Sequence, residues 1–437
     1  VQKKKGFFDS ITDFTMKIAE PMGRFAEKPW VSALQSGMVA IMPIIIIGSL
    51  FMVLGALGQP WIGASGKPLL PFLAPYAGKI LNVFRFTMNF LGLYAAVAIA
   101  MAYAEKLDVD VKSAGLLSLA TFFLITLNGT SLTGSVKDAA GKAIPFSIAG
   151  IPVSSFSASG LFTAILVGLL SVRIYKFIVD AKITIRMPAS VPPNISNAFT
   201  SLIPYAVVFI LAWIVRTMFN FDIVTWVTTL FLPIFKAADN IFMYTIRMTL
   251  GNLLWSAGLH GDNMLLPIIT PFVTQNIAAN ADALTKGIAL PFIWTQPLER
   301  MSGWTATVWP LLILLFQSKV PGHRTLAVAA LPAAVFTIVE PVIFGLPLAL
   351  NPFLIVPFLL ATVVSSIITY GSVMIGFTSR FFAALPWATP PFILGPAASG
   401  DWKWVIIIVL NVAIGYVIFY PFFKVYEKNE LAKQAAK

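Results

Sequence analysis

Along most of this chain apolar residues do not alternate with polar ones; they run on for the length of a bilayer crossing. Val31 to Leu57 carries no charge, and neither do the runs between Arg85 and Glu105, Lys112 and Lys137, and Lys142 and Arg173. A fifth run follows Arg186, with Ser201 to Trp213 at its centre. An α-helix needs about 20 apolar residues to span the hydrocarbon core, so each run predicts a transmembrane helix. Two stretches are patterned otherwise. Phe7, Ile11, Phe14 and Ile18 recur at helical spacing opposite Asp9, Asp13, Lys17 and Glu20, which predicts an amphipathic helix in the membrane interface, stopped by Pro21. Between Asn220 and Asn240, Asp222, Lys236 and Asp239 bracket aromatic and aliphatic residues, predicting a helix along the membrane that joins two halves.

The second half has a different texture. Its apolar runs are broken by Arg247, Asp262, Glu299, Arg300, Glu340, Arg380 and Asp401, and by prolines from Pro267 to Pro391. Two stretches, within Asn263–Thr305 and Tyr370–Trp402, read as re-entrant hairpins. The predicted fold is an all-α polytopic membrane protein: about ten transmembrane helices, with re-entrant hairpins and interfacial amphipathic helices. Its expected divisions are an interfacial segment at 1–30, an N-terminal transmembrane domain at 31–220, an amphipathic linker at 221–240, a C-terminal working domain at 241–425 and a tail at 426–437.

Composition sharpens the picture. Hydrophobic residues make up 58% and charged ones 11%, far below the roughly 25% charged residues of a soluble domain. The 30 Lys and Arg against 18 Asp and Glu gather near the ends and in two loops, which reads as membrane topology and not as nucleic-acid binding. Arg173, Lys176, Lys182 and Arg186, then Lys319 and Arg324, then Lys424, Lys428, Lys433 and Lys437 all fall on the cytoplasmic side by the positive-inside rule, so both termini are expected inside. No signal-type apolar core follows the basic start. There is no cysteine, hence no disulfide, thiolate metal site or covalent intermediate on sulfur.

Candidate chemistry concentrates in two stretches, W-S-A-G-L-H-G-D-N from Trp255 to Asn263 and V-E-P-V-I-F-G-L-P from Val339 to Pro347. Ionisable groups at membrane depth are costly and by default line an enclosed cavity or a wet path. Gly258, Gly261, Pro341 and Gly345 interrupt helices there, leaving backbone groups free to face a ligand. A carboxylate accepts from two hydroxyls, neutral His and Asn both donate and accept, and an indole covers an apolar face. Glu340 leads, then His260, with Asp262, Asn263, Asn194, Trp255 and Trp387 as further substrate contacts. The competing readings are structural. Glu340 could pair with Arg247 or Arg380, His260 could tie a helix end, Asp262 could cap the helix that follows, and Asn194, after Pro192 and Pro193, could only stiffen a non-helical segment. Glu299 and Arg300 could neutralise each other or turn the tip of the first hairpin, and His323, in a basic loop, reads as solvated. No metal-ligand spacing or phosphate-cradling glycine loop is present, and no cofactor is expected.

M-P-A-S-V-P-P-N-I-S-N-A-F from Met187 to Phe199, L-H-G-D-N from Leu259, E-P-V-I-F-G-L-P from Glu340, N-P at Asn351, P-W-A-T-P-P from Pro386 and Y-P-F-F-K-V-Y-E from Tyr420 resemble one family. It is enzyme IIC of the bacterial phosphoenolpyruvate-dependent sugar phosphotransferase system, in its lactose, cellobiose and chitobiose branch, and within that branch the diacetylchitobiose permeases. The resemblance implies a homodimer in the cytoplasmic membrane that moves a β-linked disaccharide inward, where a phosphocysteine on a partner, IIB, phosphorylates it. Lacking cysteine, this chain would be the transport subunit alone. Glu340 is then the expected base for the sugar's C6 hydroxyl, since desolvation brings a carboxylate toward the useful range. A proton-coupled secondary transporter would also need a lone membrane carboxylate and a histidine, and is the alternative.

Overall fold

The structure, a computed structural model, describes residues 21 and 24–435 apart from 26, 60–67, 69, 128–130, 138–142, 152, 158–159, 186, 189, 347 and 349–350. The interfacial helix expected from Phe7 to Glu20, together with Arg186 and Lys437, lies outside them. The chain divides into two compact units. One comprises Lys28–Gly48 and Asn82–Ile234, the other Val1–Glu27, Ser49–Leu81 and Phe235–Lys437. The later boundary falls within the stretch read as a linker, but the grouping of 49–81 with C-terminal residues is not suggested by a simple succession of spans.

The first unit is built from helices α1 (Pro29–Ala40), α2 (Met42–Leu57, shared between the units), α3 (Ala77–Met88, likewise shared), α4 (Leu91–Leu107), α5 (Val111–Thr126), α6 (Leu161–Asp180), α7 (Pro193–Trp213) and most of α8 (Ile223–Ala238). Helix α4 is its axis and packs against α1, α5 and α6. Ala95, Ala96, Ile99, Ala100 and Ala104 of α4 are fully buried. Gly37 of α1 faces this stripe so closely that a Cβ there would collide with the backbone of Ile99. Small residues of this kind let membrane helices approach and gain van der Waals contact where no hydrophobic effect drives them together. Asp110 caps α5 by accepting from the Ser113 N–H at 2.7 Å.

The third apolar run departs from expectation. Helix α5 stops at Thr126, and residues further on form a two-stranded antiparallel ribbon, β1 (Ser131–Lys137) and β2 (Ala143–Ala149), in register from Ser131 opposite Ala149 to Lys137 opposite Ala143. Ser131, Thr133, Ser135 and Lys137 alternate with Leu132, Gly134 and Val136, a period of two that favours a strand over a helix. Otherwise the described elements are helical. Among the described residues six helices are long and apolar enough to cross a membrane: Pro29–Leu57, Pro71–Leu107, Leu161–Asp180, Ile195–Met218, Phe353–Met374 and Trp404–Gln434.

The second unit holds α9 (Ile241–Ser256), α10 (Gly261–Thr285), α11 (Gln296–Gln317), α12 (His323–Val335), α13 (Glu340–Gly345), α14 (Pro352–Met374), α15 (Pro391–Ser399) and α16 (Trp404–Ala435). Helix α11 is central, packed against α16, α14 and α12 around Leu311, Leu315, Phe358, Phe419 and Phe423. Between α10 and α11, and again between α14 and α15, the chain returns as non-helical legs at 288–295 and 379–386, in the two stretches read as hairpins. Extended backbone cannot satisfy itself, so buried side chains must do it. Asn280 donates to the carbonyls of Phe292 and Phe381, each at 2.8 Å, and accepts from the Phe292 N–H at 2.9 Å. Asp239 accepts from the N–H groups of Ile293 and Trp294 and from the Tyr370 hydroxyl. Asp401 accepts from both the N–H and the hydroxyl of Ser379.

His323 corrects its reading as a solvated loop residue. It opens α12 buried, bonded to the Ser318 hydroxyl at 2.8 Å, its ring stacked on Tyr426 of α16. Glu427, one residue on, accepts the Lys319 N–H, so the loop before α12 is latched to the last helix.

Candidate functional site

Two turns of the second unit carry the site, 257–260 between α9 and α10 and 336–339 between α12 and α13, with Trp387 alongside. In the first, Gly258 takes φ +81°, a left-handed conformation that reverses the chain after α9. Gly261 then sits so close to α9 that a Cβ would strike the Gly251 carbonyl. Between these two glycines His260 caps α10, its Nδ1 accepting from the Asn263 N–H at 3.2 Å. The imidazole lies over Trp255, ring centroids 4.3 Å apart.

In the second turn Thr337 is held at φ +62°, rare for a β-branched residue, and its hydroxyl donates to the Trp387 carbonyl at 2.9 Å. Glu340 starts α13, where Pro341 fits the first turn because no helical N–H partner is lost. One carboxylate oxygen, Oε2, accepts from the Val339 N–H at 3.0 Å. The other, Oε1, faces His260 Nε2 at 3.6 Å, and the two side chains are 43% and 41% exposed. Trp387 is 46% exposed.

A second set of charges lies close by and is closed. Arg247 of α9, 8% exposed, reaches Asp262 of α10 at 3.1 Å and Glu299 of α11 at 3.0 Å. The other Glu299 oxygen accepts the Trp294 indole N–H at 2.9 Å.

The sequence candidates therefore separate. His260 and Glu340 are brought face to face, with Trp387 tied to the Glu340 turn through Thr337. Asp262 does not cap α10, because His260 does; its carboxylate is engaged with Arg247. Trp255, 1% exposed, has no face for a ligand and forms the floor under His260. Asn263 is exposed beside the cap through its side chain. Asn194 stands in the first turn of α7, in the other unit, with its side chain outside the described residues; Pro193 opens a helix there because proline suits the first helical position. Arg247 serves Asp262 and Glu299 and not Glu340, and Glu299 pairs with Arg247 and not with its neighbour Arg300. Two structural residues escaped the sequence reading, Asn280 and Asp239. The amides clustered in T-Q-N-I-A-A-N, Thr274 to Asn280, were the available signal, since a buried amide must find partners.

Helices of membrane length, non-helical legs held by buried amides, and an open carboxylate–imidazole pair are the features of a polytopic membrane protein with a polar site. The chain belongs to the family described as Phosphotransferase system, EIIC, whose model matches residues 35–362. It is similar to the lichenan permease IIC component of Bacillus subtilis (strain 168), with 31% identity over 96% of this chain and 94% of that one. It is similar also to the cellobiose-specific EIIC component of Geobacillus stearothermophilus, with 30% identity over 98% and 96% of the two chains. Among solved structures it resembles the transporter ChbC, the IIC component from the N,N'-diacetylchitobiose-specific phosphotransferase system, with a TM-score of 0.87, 27% identity, and coverage of 98% of this chain and 99% of that one. The chain is thus a multi-pass membrane sugar permease of the cellobiose, lactose and chitobiose branch.

Proposed function

We propose that this permease imports a β-linked disaccharide, N,N'-diacetylchitobiose first and cellobiose or lactose next, and delivers it for phosphorylation by the phosphocysteine of a cytoplasmic IIB partner. The observation that carries this is the His260–Glu340 pair, each about two-fifths exposed and 3.6 Å apart, with the exposed Trp387 tied to the Glu340 turn through the Thr337 hydroxyl. A carboxylate, an imidazole and an indole together meet what a sugar ring presents. In the transfer, the sugar's C6 oxygen forms a bond to phosphorus as the P–S bond of IIB breaks. Glu340 takes the hydroxyl proton, the thiolate leaves on the partner, and no phosphoryl group bonds to this chain, which has no cysteine. Asn263, exposed beside the His260 cap, is a further sugar contact.

The chain works as a homodimer through its N-terminal spans, with the C-terminal domain moving against that scaffold. Both termini lie in the cytoplasm, as the basic loops indicate. Lys319 and Arg324, both exposed, dock IIB and offset its phosphate charge; the basic stretch from Arg173 to Arg186 is a second candidate for the same role.

Equilibrium binding of diacetylchitobiose, cellobiose and lactose to the purified protein tests the substrate, and addition of phosphorylated IIB tests the transfer. Binding of one of the three followed by phosphorylation is the expected result. A chain that carries unmodified sugar down a pH gradient without IIB would overturn it.

A further inference from the structure

The two open side chains are each committed, through one atom, to a backbone N–H of their own turn. His260 gives Nδ1 to the Asn263 N–H, and Glu340 gives Oε2 to the Val339 N–H. What remains is one atom from each, Nε2 and Oε1, turned toward one another. A backbone N–H can only donate, so Nδ1 must hold a lone pair, and the proton of a neutral imidazole must sit on Nε2. Turning the ring over would put a C–H where the Asn263 N–H needs an acceptor, and the surroundings hold the turn in place. Trp255 lies beneath it at 4.3 Å, and the turn is clamped between Gly258 at φ +81° and the tight contact of Gly261 with α9.

We infer that helix capping sets the direction of the proton in this site, making His260 an obligate donor and Glu340 Oε1 an obligate acceptor, so that a bound sugar hydroxyl points its hydrogen at Glu340. This rests on the reading of the pair as the sugar site. At 3.6 Å the two atoms stand beyond a direct hydrogen bond, whereas a hydroxyl oxygen off the line, about 2.8 Å from each, satisfies both. That hydroxyl accepts from Nε2–H with one lone pair and donates to Oε1. Its second lone pair is left for an electrophile, and its proton is already directed at the carboxylate. His260 is then a positioning residue: with Nδ1 spent on the cap and Nε2 already protonated, it has no free base to offer.

The chain has only two histidines, which makes the tautomer directly readable. Full-length protein carrying 15N-labelled histidine in lipid nanodiscs, with His323→Asn used to assign the second ring, should show His260 with bare Nδ1 and protonated Nε2 near neutral pH. Cellobiose should shift the Nε2 resonance and leave Nδ1 unmoved. A proton on Nδ1, or on both nitrogens, would overturn the inference. A sugar that binds by calorimetry yet leaves Nε2 unmoved would instead remove the pair as the sugar site, while leaving the tautomer intact. Two variants give an independent reading. The amide of His260→Gln reaches the Nε2 position and can donate, whereas that of His260→Asn reaches only the Nδ1 position and can keep the cap. Cellobiose should bind the Asn variant roughly tenfold more weakly than the Gln variant. The reverse order would mean that the cap is all His260 supplies.

Discussion

Two acid–base groupings share the second unit and do opposite work. Arg247, Asp262 and Glu299 bind helices α9, α10 and α11 at one buried point. His260 and Glu340 bridge two turns yet leave a gap, each about two-fifths exposed. The residue types are nearly the same. What differs is enclosure: Arg247 is 8% exposed among three helices, whereas His260 and Glu340 each open outward. In the closed grouping the guanidinium meets two carboxylates and Trp294 takes one more oxygen. In the open one a single atom per side chain goes to the backbone and the other waits. A charged group here is therefore assigned to structure or to ligand by whether the atoms its partners leave unspent are open to a ligand, more than by its identity.

The strongest way to break this contrast is Arg247→Met. It leaves two buried carboxylates without their cation, a loss of about 3–5 kcal/mol in other buried pairs. The protein should aggregate or melt far lower in detergent, as size exclusion and thermal unfolding would show. Normal melting with normal sugar binding would mean that the closed grouping is dispensable.

Glu340→Gln should act in the other sense, on ligand and not on fold. Losing a charged hydrogen bond costs about 1.5–3 kcal/mol, so affinity should fall roughly tenfold to a hundredfold. Phosphorylation at saturating sugar and IIB should drop by about another hundredfold. Thermal stability should stay within about 0.5 kcal/mol, as for surface substitutions. Wild-type affinity in this variant would make the carboxylate structural.

Asp262→Asn sharpens the difference between neighbours two residues apart. It keeps shape but removes the charge facing Arg247, so stability should fall by about 1–3 kcal/mol while cellobiose affinity changes less than threefold, or about 0.6 kcal/mol. A greater loss of affinity than of stability would move Asp262 to the open grouping. The smallest effect expected is from Trp387→Ala, which removes one stacking face worth about 0.5–1.5 kcal/mol, seen as weaker binding with unchanged melting.

Much of this was legible in the sequence, and the rest failed for definite reasons. His260 and Glu340 stood out because they interrupt apolar sequence beside glycine and proline. Their mutual approach did not, since nothing local links positions so far apart in the chain. The pairing of Glu299 with Arg300 suggested by adjacency failed because successive helical residues point apart; helix geometry sent Glu299 to Arg247. The ribbon was hidden because β1 closes one uncharged run and β2 opens the next, where length argued for spans and only the alternation of Ser, Thr and Lys with Leu, Gly and Val in β1 argued for a strand. His323 looked exposed because its neighbours are basic, but the C-terminal helix returns to cover it.

Asn280 has a mechanical meaning. Its amide is bonded to Phe292 in one extended leg and Phe381 in the other, so the legs share a rivet and lose the freedom to slide past each other. In kinematic terms the two hairpins count as one moving body instead of two. A force applied to either is felt by both. The chain contains no cysteine of its own, so a pair of introduced thiols, one on each leg, would report that shared motion against an otherwise silent background: a separation that stays constant through the cycle while each leg changes its distance to a third point.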